Sequence, residues 1–80
     1  MEKFINGRKV EIGAQWNHPL SWPHLQVVTT CDSTKPETYH AEVRMGGHVL
    51  IRTDPTDDLQ KAERAAEKAF NDRFAALFLV

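Results

Sequence analysis

Apolar and polar residues alternate from Lys9 to Trp16, with Val10, Ile12, Ala14 and Trp16 on one side and Lys9, Glu11, Gly13 and Gln15 on the other. A period of two is the signature of a strand with one face buried, so this segment predicts a first strand. The next stretch, Asn17 to His24, carries Pro19 and Pro23. Each removes a backbone donor and biases the residue before it toward extended geometry, so the stretch reads as a structured loop. Leu25 to Thr30 is rich in β-branched residues and predicts a second strand. Cys31 to Glu37 is dense in turn formers and reads as the loop that stops it.

The clearest local pattern is a hairpin: Tyr39, Ala41, Val43 and Met45 share one face, His40, Glu42 and Arg44 the other, and Gly46-Gly47 turns the chain into a Val49–Thr53 strand. A two-residue loop would set Val49 and Ile51 against Arg44 and Glu42, mixing apolar and charged residues on both faces. A three-residue loop pairs Met45 with Val49, Val43 with Ile51 and Glu42 with Arg52, and is the preferred register. A helix should then begin at about Pro55. Asp54 or Thr56 offers an N-cap oxygen, proline tolerates the first turn, and Asp57 and Asp58 complement the positive end of the helix dipole. Leu59, Ala62, Ala66, Ala69, Phe70, Phe74 and Leu77 recur at steps of three and four as one apolar stripe. The expected architecture is one α+β domain over residues 1–80: an antiparallel sheet of three to four strands, then one long C-terminal helix packed on one face, βββ(β)α.

Composition narrows the function classes. The chain has 80 residues, 41% hydrophobic and 26% charged, with a formal net charge of −1. That supports a single core and gives no general attraction to polyanions or anionic lipid. No apolar run approaches the roughly 20 residues of a bilayer span. The first residues lack the apolar segment of an export signal, and Cys31, the one cysteine, cannot form an internal disulfide. A cytoplasmic protein is expected.

Catalytic and metal motifs are not evident. His18, His24, His40 and His48 are spaced unlike compact ligand pairs, and one thiol adds little to them. Cys31 beside Asp32 lacks a glycine-rich loop, zinc-protease helix or nucleophile elbow around it. The expectation is a protein without enzyme activity, cofactor or metal.

Binding remains. Leu20, Trp22 and His24 place a large aromatic among stiffening prolines, the composition of a preorganised interface anchor. Asp54, Asp57 and Asp58, with Glu63 and Glu67, offer carboxylates to a basic protein surface. Phe78, Leu79 and Val80 end the chain with more apolar surface than one core takes up, which suggests a homodimer or partner contact.

From about Tyr39 to Phe70 the hairpin and following helix resemble the later part of a double-stranded RNA-binding domain. The resemblance implies RNA binding through the helix start and a cationic face, for which Lys3, Arg8, Lys9, Arg44 and Arg52 are the candidates. That family sets lysines at the helix start, where this chain has Asp54, Asp57 and Asp58, and carboxylates there repel phosphate. The Tyr39–Met45 strand, glycine turn, Val49–Thr53 strand and Asp54-Pro55 opening of an alanine-rich helix also resemble the small inhibitor proteins of phages and mobile elements, including anti-CRISPR proteins. This second resemblance implies a protein that binds and inhibits a larger intracellular protein or nucleoprotein complex. The alternatives are a nucleic-acid-binding module using the sheet face and a structural homo-oligomer.

Overall fold

The alternation read as one strand over Lys9–Trp16 is divided in the structure, a computed structural model that describes residues 2–20 and 24–78. Phe4–Ile5 (β1) and Arg8–Lys9 (β2) form a small hairpin that sequence patterning did not foresee. Asn6 and Gly7 turn it with positive φ. The chain turns again at Gly13, whose φ is 89°. There the Gly13 N–H donates to the Cys31 carbonyl and the Ala14 N–H to that of Glu11. Ile12 is consequently 71% exposed, while Val10, Ala14 and Trp16 remain buried.

The third strand, β3, spans Gln15–Pro19, so it extends into what reads as loop in the sequence. Leu25–Thr34 (β4) and Glu37–Met45 (β5) form a long hairpin turning at Lys35-Pro36. The Cys31–Glu37 segment is thus mostly strand, corrected by cross-strand pairing that overrides its turn-forming residues. A register shift between Cys31 and Ser33 absorbs Asp32. His48–Arg52 (β6) completes a four-stranded antiparallel sheet ordered β3-β4-β5-β6.

The β5–β6 turn combines both registers weighed from sequence. Glu42 pairs with Arg52 and Val43 with Ile51, as the preferred register requires. At the tip, however, Met45 pairs with His48 and Arg44 with Val49 across a two-residue Gly46-Gly47 turn. Leu50 bulges between the two regimes and packs against the core. The bulge lets a tight turn coexist with an apolar match further along.

The helix α1 spans Leu59–Phe78 and begins later than Pro55. Thr56 is held by the sheet: Tyr39 N–H donates to its carbonyl at 2.8 Å and Thr56 N–H to that of Tyr39 at 2.7 Å. A residue so paired cannot also start a helix. Asp58, rather than Asp54 or Thr56, is the N-cap by its carbonyl, which accepts the Ala62 N–H at 3.1 Å. The Thr56 hydroxyl donates to that same carbonyl.

Leu59, Ala62, Ala66 and Phe70 face the sheet and are buried there with Trp16, Leu25, Val27, Cys31, Tyr39, Ala41, Val43 and Ile51. Ala41, Ala62 and Ala66 have no exposed surface, so the backbones of helix and sheet approach closely at the helix start. Phe70 stacks on half-buried Phe74 at 5.1 Å further along. The sequence expectation of an α+β domain with an antiparallel sheet and one C-terminal helix on one face is met in the element order and packing. No helix among the described residues is long and apolar enough to cross a membrane.

Candidate protein-interaction surfaces

The carboxylates singled out from sequence fall into two groups. Asp54, Asp57 and Asp58 are all exposed on the short connection between β6 and α1. Its backbone is fixed to β5 by the two Thr56–Tyr39 bonds and by Thr53, whose N–H donates to the Ala41 carbonyl and whose hydroxyl accepts the Ala41 N–H. Asp57 lies 3.2 Å from Lys61, with both side chains mostly in water, an arrangement worth little. Among the described residues neither Asp54 nor Asp58 joins an ion pair.

Glu63 and Glu67 belong elsewhere. One turn apart on α1, they face the β3 side of the sheet, where His18 Nε2 stands 3.6 Å from Glu67 Oε1. Burial raises the Glu63 carboxyl above its ordinary value; His18 opposes this and Glu67 reinforces it. A polar cleft of about 360 Å³ runs beside them, lined by Arg8, Gln15, Trp16, Asn17, His18 and Glu63 among others. The single acidic patch expected from sequence is therefore split, because helix periodicity turns Glu63 and Glu67 away from the Asp54–Asp58 connection.

Leu20 and His24 flank the end of β3 and the start of β4. Leu20 is half-buried against the core and its N–H donates to the Leu25 carbonyl. His24 is exposed with a φ of 65°. Both line an open cleft of about 460 Å³ with Pro19, Leu25, Gln26 and Gly46. Trp22, Leu79 and Val80 lie outside the described residues, and Phe78 is described only in its backbone, as the last residue of α1.

The cations considered for nucleic acid do not form one surface. Lys3, Arg8 and Lys9 belong to or adjoin the β1–β2 hairpin, with Lys3 bonded to Glu37 at 2.9 Å and Lys9 3.3 Å from Glu2. Arg44 and Arg52 lie on the sheet face opposite α1, Arg44 bonded to Glu42 and Arg52 paired across from it. Lys3, Lys9 and Arg44 thus each pair with a carboxylate of the same molecule.

That helix-free face holds the polar cluster the sequence did not disclose. Asp32 accepts from His40 Nδ1 at 2.7 and 2.8 Å through its two carboxylate oxygens, with the imidazole nearly buried. Thr30 pairs across from His40, and Gln15 donates to the Thr30 hydroxyl at 3.4 Å. Strict alternation put His40 and Glu42 on the outer side, but only the bulge at Asp32 brings the carboxylate within reach of the ring. Cys31 faces the opposite way and is 1% exposed, its thiol donating to the Ser33 carbonyl. Burial pushes that thiol up, so thiolate is disfavoured, and Cys31, Asp32 and His40 do not converge as a nucleophile and base. Among the described residues no group of three or more His, Cys, Asp or Glu side chains is placed to hold a metal ion.

The described residues thus present a fixed acidic connection, a polar cleft along an edge strand, an open cleft beside Leu20 and His24, and a sheet face on which acidic and basic side chains pair. Comparison with known proteins finds no family model, no curated protein and no solved structure that matches this chain.

Proposed function

We propose that this chain is a non-catalytic binding protein that docks on the basic surface of a larger protein or nucleoprotein complex and blocks it by charge and shape. The observation that carries the reading is the exposure of Asp54, Asp57 and Asp58 on a connection whose backbone is clamped to β5 at Thr53 and Thr56. Carboxylates on fixed backbone lose little conformational freedom on binding, and they accelerate encounter with a cationic partner. A basic nucleic-acid groove is the surface such a group fits best, so the partner class we favour is a nucleic-acid-handling defence complex, with the chain acting as an inhibitor of the anti-CRISPR type.

Reversing Asp57 and Asp58 to lysine tests the reading. Expected is loss of partner capture from host lysate with an unchanged circular dichroism spectrum and melting temperature. Capture of the same partner by the reversed protein refutes it. Nucleic-acid binding is the competing class, and its test is a salt-dependent mobility shift of labelled double-stranded RNA. Pairing of Lys3, Lys9 and Arg44 with Glu37, Glu2 and Glu42 argues for no shift.

A further inference from the structure

The two edges of the four-stranded sheet are not equivalent. At β6 the Leu50 bulge interrupts the ladder, a device that discourages further pairing. At β3 the register runs without a break from Gln15↔Thr30 to Pro19↔Gln26. Two bonds fix its phase: Cys31 N–H donates to the Ala14 carbonyl at 2.9 Å, and Leu20 N–H to the Leu25 carbonyl at 3.1 Å. Antiparallel alternation then turns the N–H and C=O groups of Trp16 and His18 toward β4, and those of Gln15, Asn17 and Pro19 outward. Pro19 sits at an outward position, where its missing N–H costs the sheet nothing. Among the described residues these outward groups of Gln15 and Asn17 have no backbone partner.

Alongside this regular edge lies the polar cleft, with Glu63 and Glu67 on its helix side. We propose that the outer edge of β3 takes up an extended basic segment of a partner protein, which adds a fifth strand and sets a Lys or Arg side chain against Glu63 and Glu67. Residues paired across a ladder share a face, so the residue opposite His18 stands on the helix side, next to Glu67. Arg8 also lines the cleft, but the Trp16 Nε1 bond to the Ile5 carbonyl, 2.8 Å, ties its hairpin to the Trp16 end. The charged groups that act on the Glu63 carboxyl are His18 and Glu67, not Arg8. A second copy of this chain fits less well. Antiparallel self-pairing about Asn17 places Pro19 opposite Gln15, forfeiting a bond at each end, and presents no cation to the glutamates other than His18.

The probe is a fluorescent peptide of alternating Lys and Thr, about seven residues long, with an alternating Glu-Thr peptide and a Lys-Thr peptide N-methylated at alternate residues as controls. Expected in anisotropy is saturable binding of the plain Lys-Thr peptide alone, with amide shifts at Gln15 and Asn17. Asn17→Pro removes an outward donor without touching the β4 ladder and should weaken binding by about tenfold or more. The paired change Glu63→Gln and Glu67→Gln should do the same, while Asp57→Asn with Asp58→Asn, which removes the same two charges, should leave peptide binding within about twofold, which separates this site from the acidic connection. Equal binding of the N-methylated peptide, or undiminished binding by the glutamine variant, overturns the proposal even if the proline variant does not fold. So does a dimer in sedimentation that Asn17→Pro dissolves, since the edge would then belong to a second copy.

Discussion

Replacing Ala66 with leucine should destabilise the protein, although leucine is nearly as good a helix former as alanine. Ala66 has no exposed surface, and Ala62 one turn before it and Ala41 on the facing sheet have none either. Leucine adds three carbons at a point where helix and sheet already touch. Burying them in free space would contribute about 2 kcal/mol. Forcing methylenes into a filled interior instead costs about 1–3 kcal/mol net, because neighbouring side chains and backbone must move. Complete burial of three alanines in one core decides for the second case. For a domain of this size a loss of about 2 kcal/mol lowers Tm by roughly 8–16 °C. Ala65→Leu is the control: it adds the same atoms to an exposed position on the same helix, and should change stability by no more than about 0.5 kcal/mol. Urea denaturation of both variants, with unchanged slopes, gives the comparison. Equal midpoints for the two would refute close helix–sheet contact at the start of α1.

Two further outcomes follow from burial of titratable groups. Burial holds the Glu63 carboxyl above its ordinary value, so its neutral form favours the fold; that contribution is complete below the unfolded value and is lost as pH rises through the folded one. Glu63→Gln should therefore raise the urea midpoint near neutral pH and lose that advantage below about pH 4, and an advantage equal at both pH values would show that Glu63 is not desolvated. Cys31, buried with its thiol shifted up, should react with a thiol reagent only as the protein opens, roughly a thousandfold or more slowly than in urea. Fast labelling under native conditions would contradict the packing of β4 against α1.

Much of the architecture was legible from short-range pattern. The period of two over Tyr39–Met45, the glycine pair and the stripe from Leu59 to Phe74 each report a face that must be buried, and such periodicities are written in neighbouring residues. They fixed the hairpin, the helix and its sheet-facing side, and therefore the α+β class. Even the contest between two hairpin registers could be stated from residues 42–52, though a bulge resolved it.

What the tertiary structure alone decided involves partners far apart in sequence. The beginning of β3 depends on Gly13 meeting Cys31, the length of β4 on pairing that outweighs the turn propensity of Asp32 and Ser33, and the start of α1 on Thr56 being held by Tyr39. The same contacts made the surfaces: they separated Glu63 and Glu67 from Asp54, Asp57 and Asp58, joined Asp32 to His40, and left β3 at the rim of the sheet. Local sequence determines which face of an element is apolar, because side-chain direction follows the backbone repeat. Which elements end as neighbours, and which edge is left without one, is settled only when distant hydrogen-bonding groups compete for partners during folding.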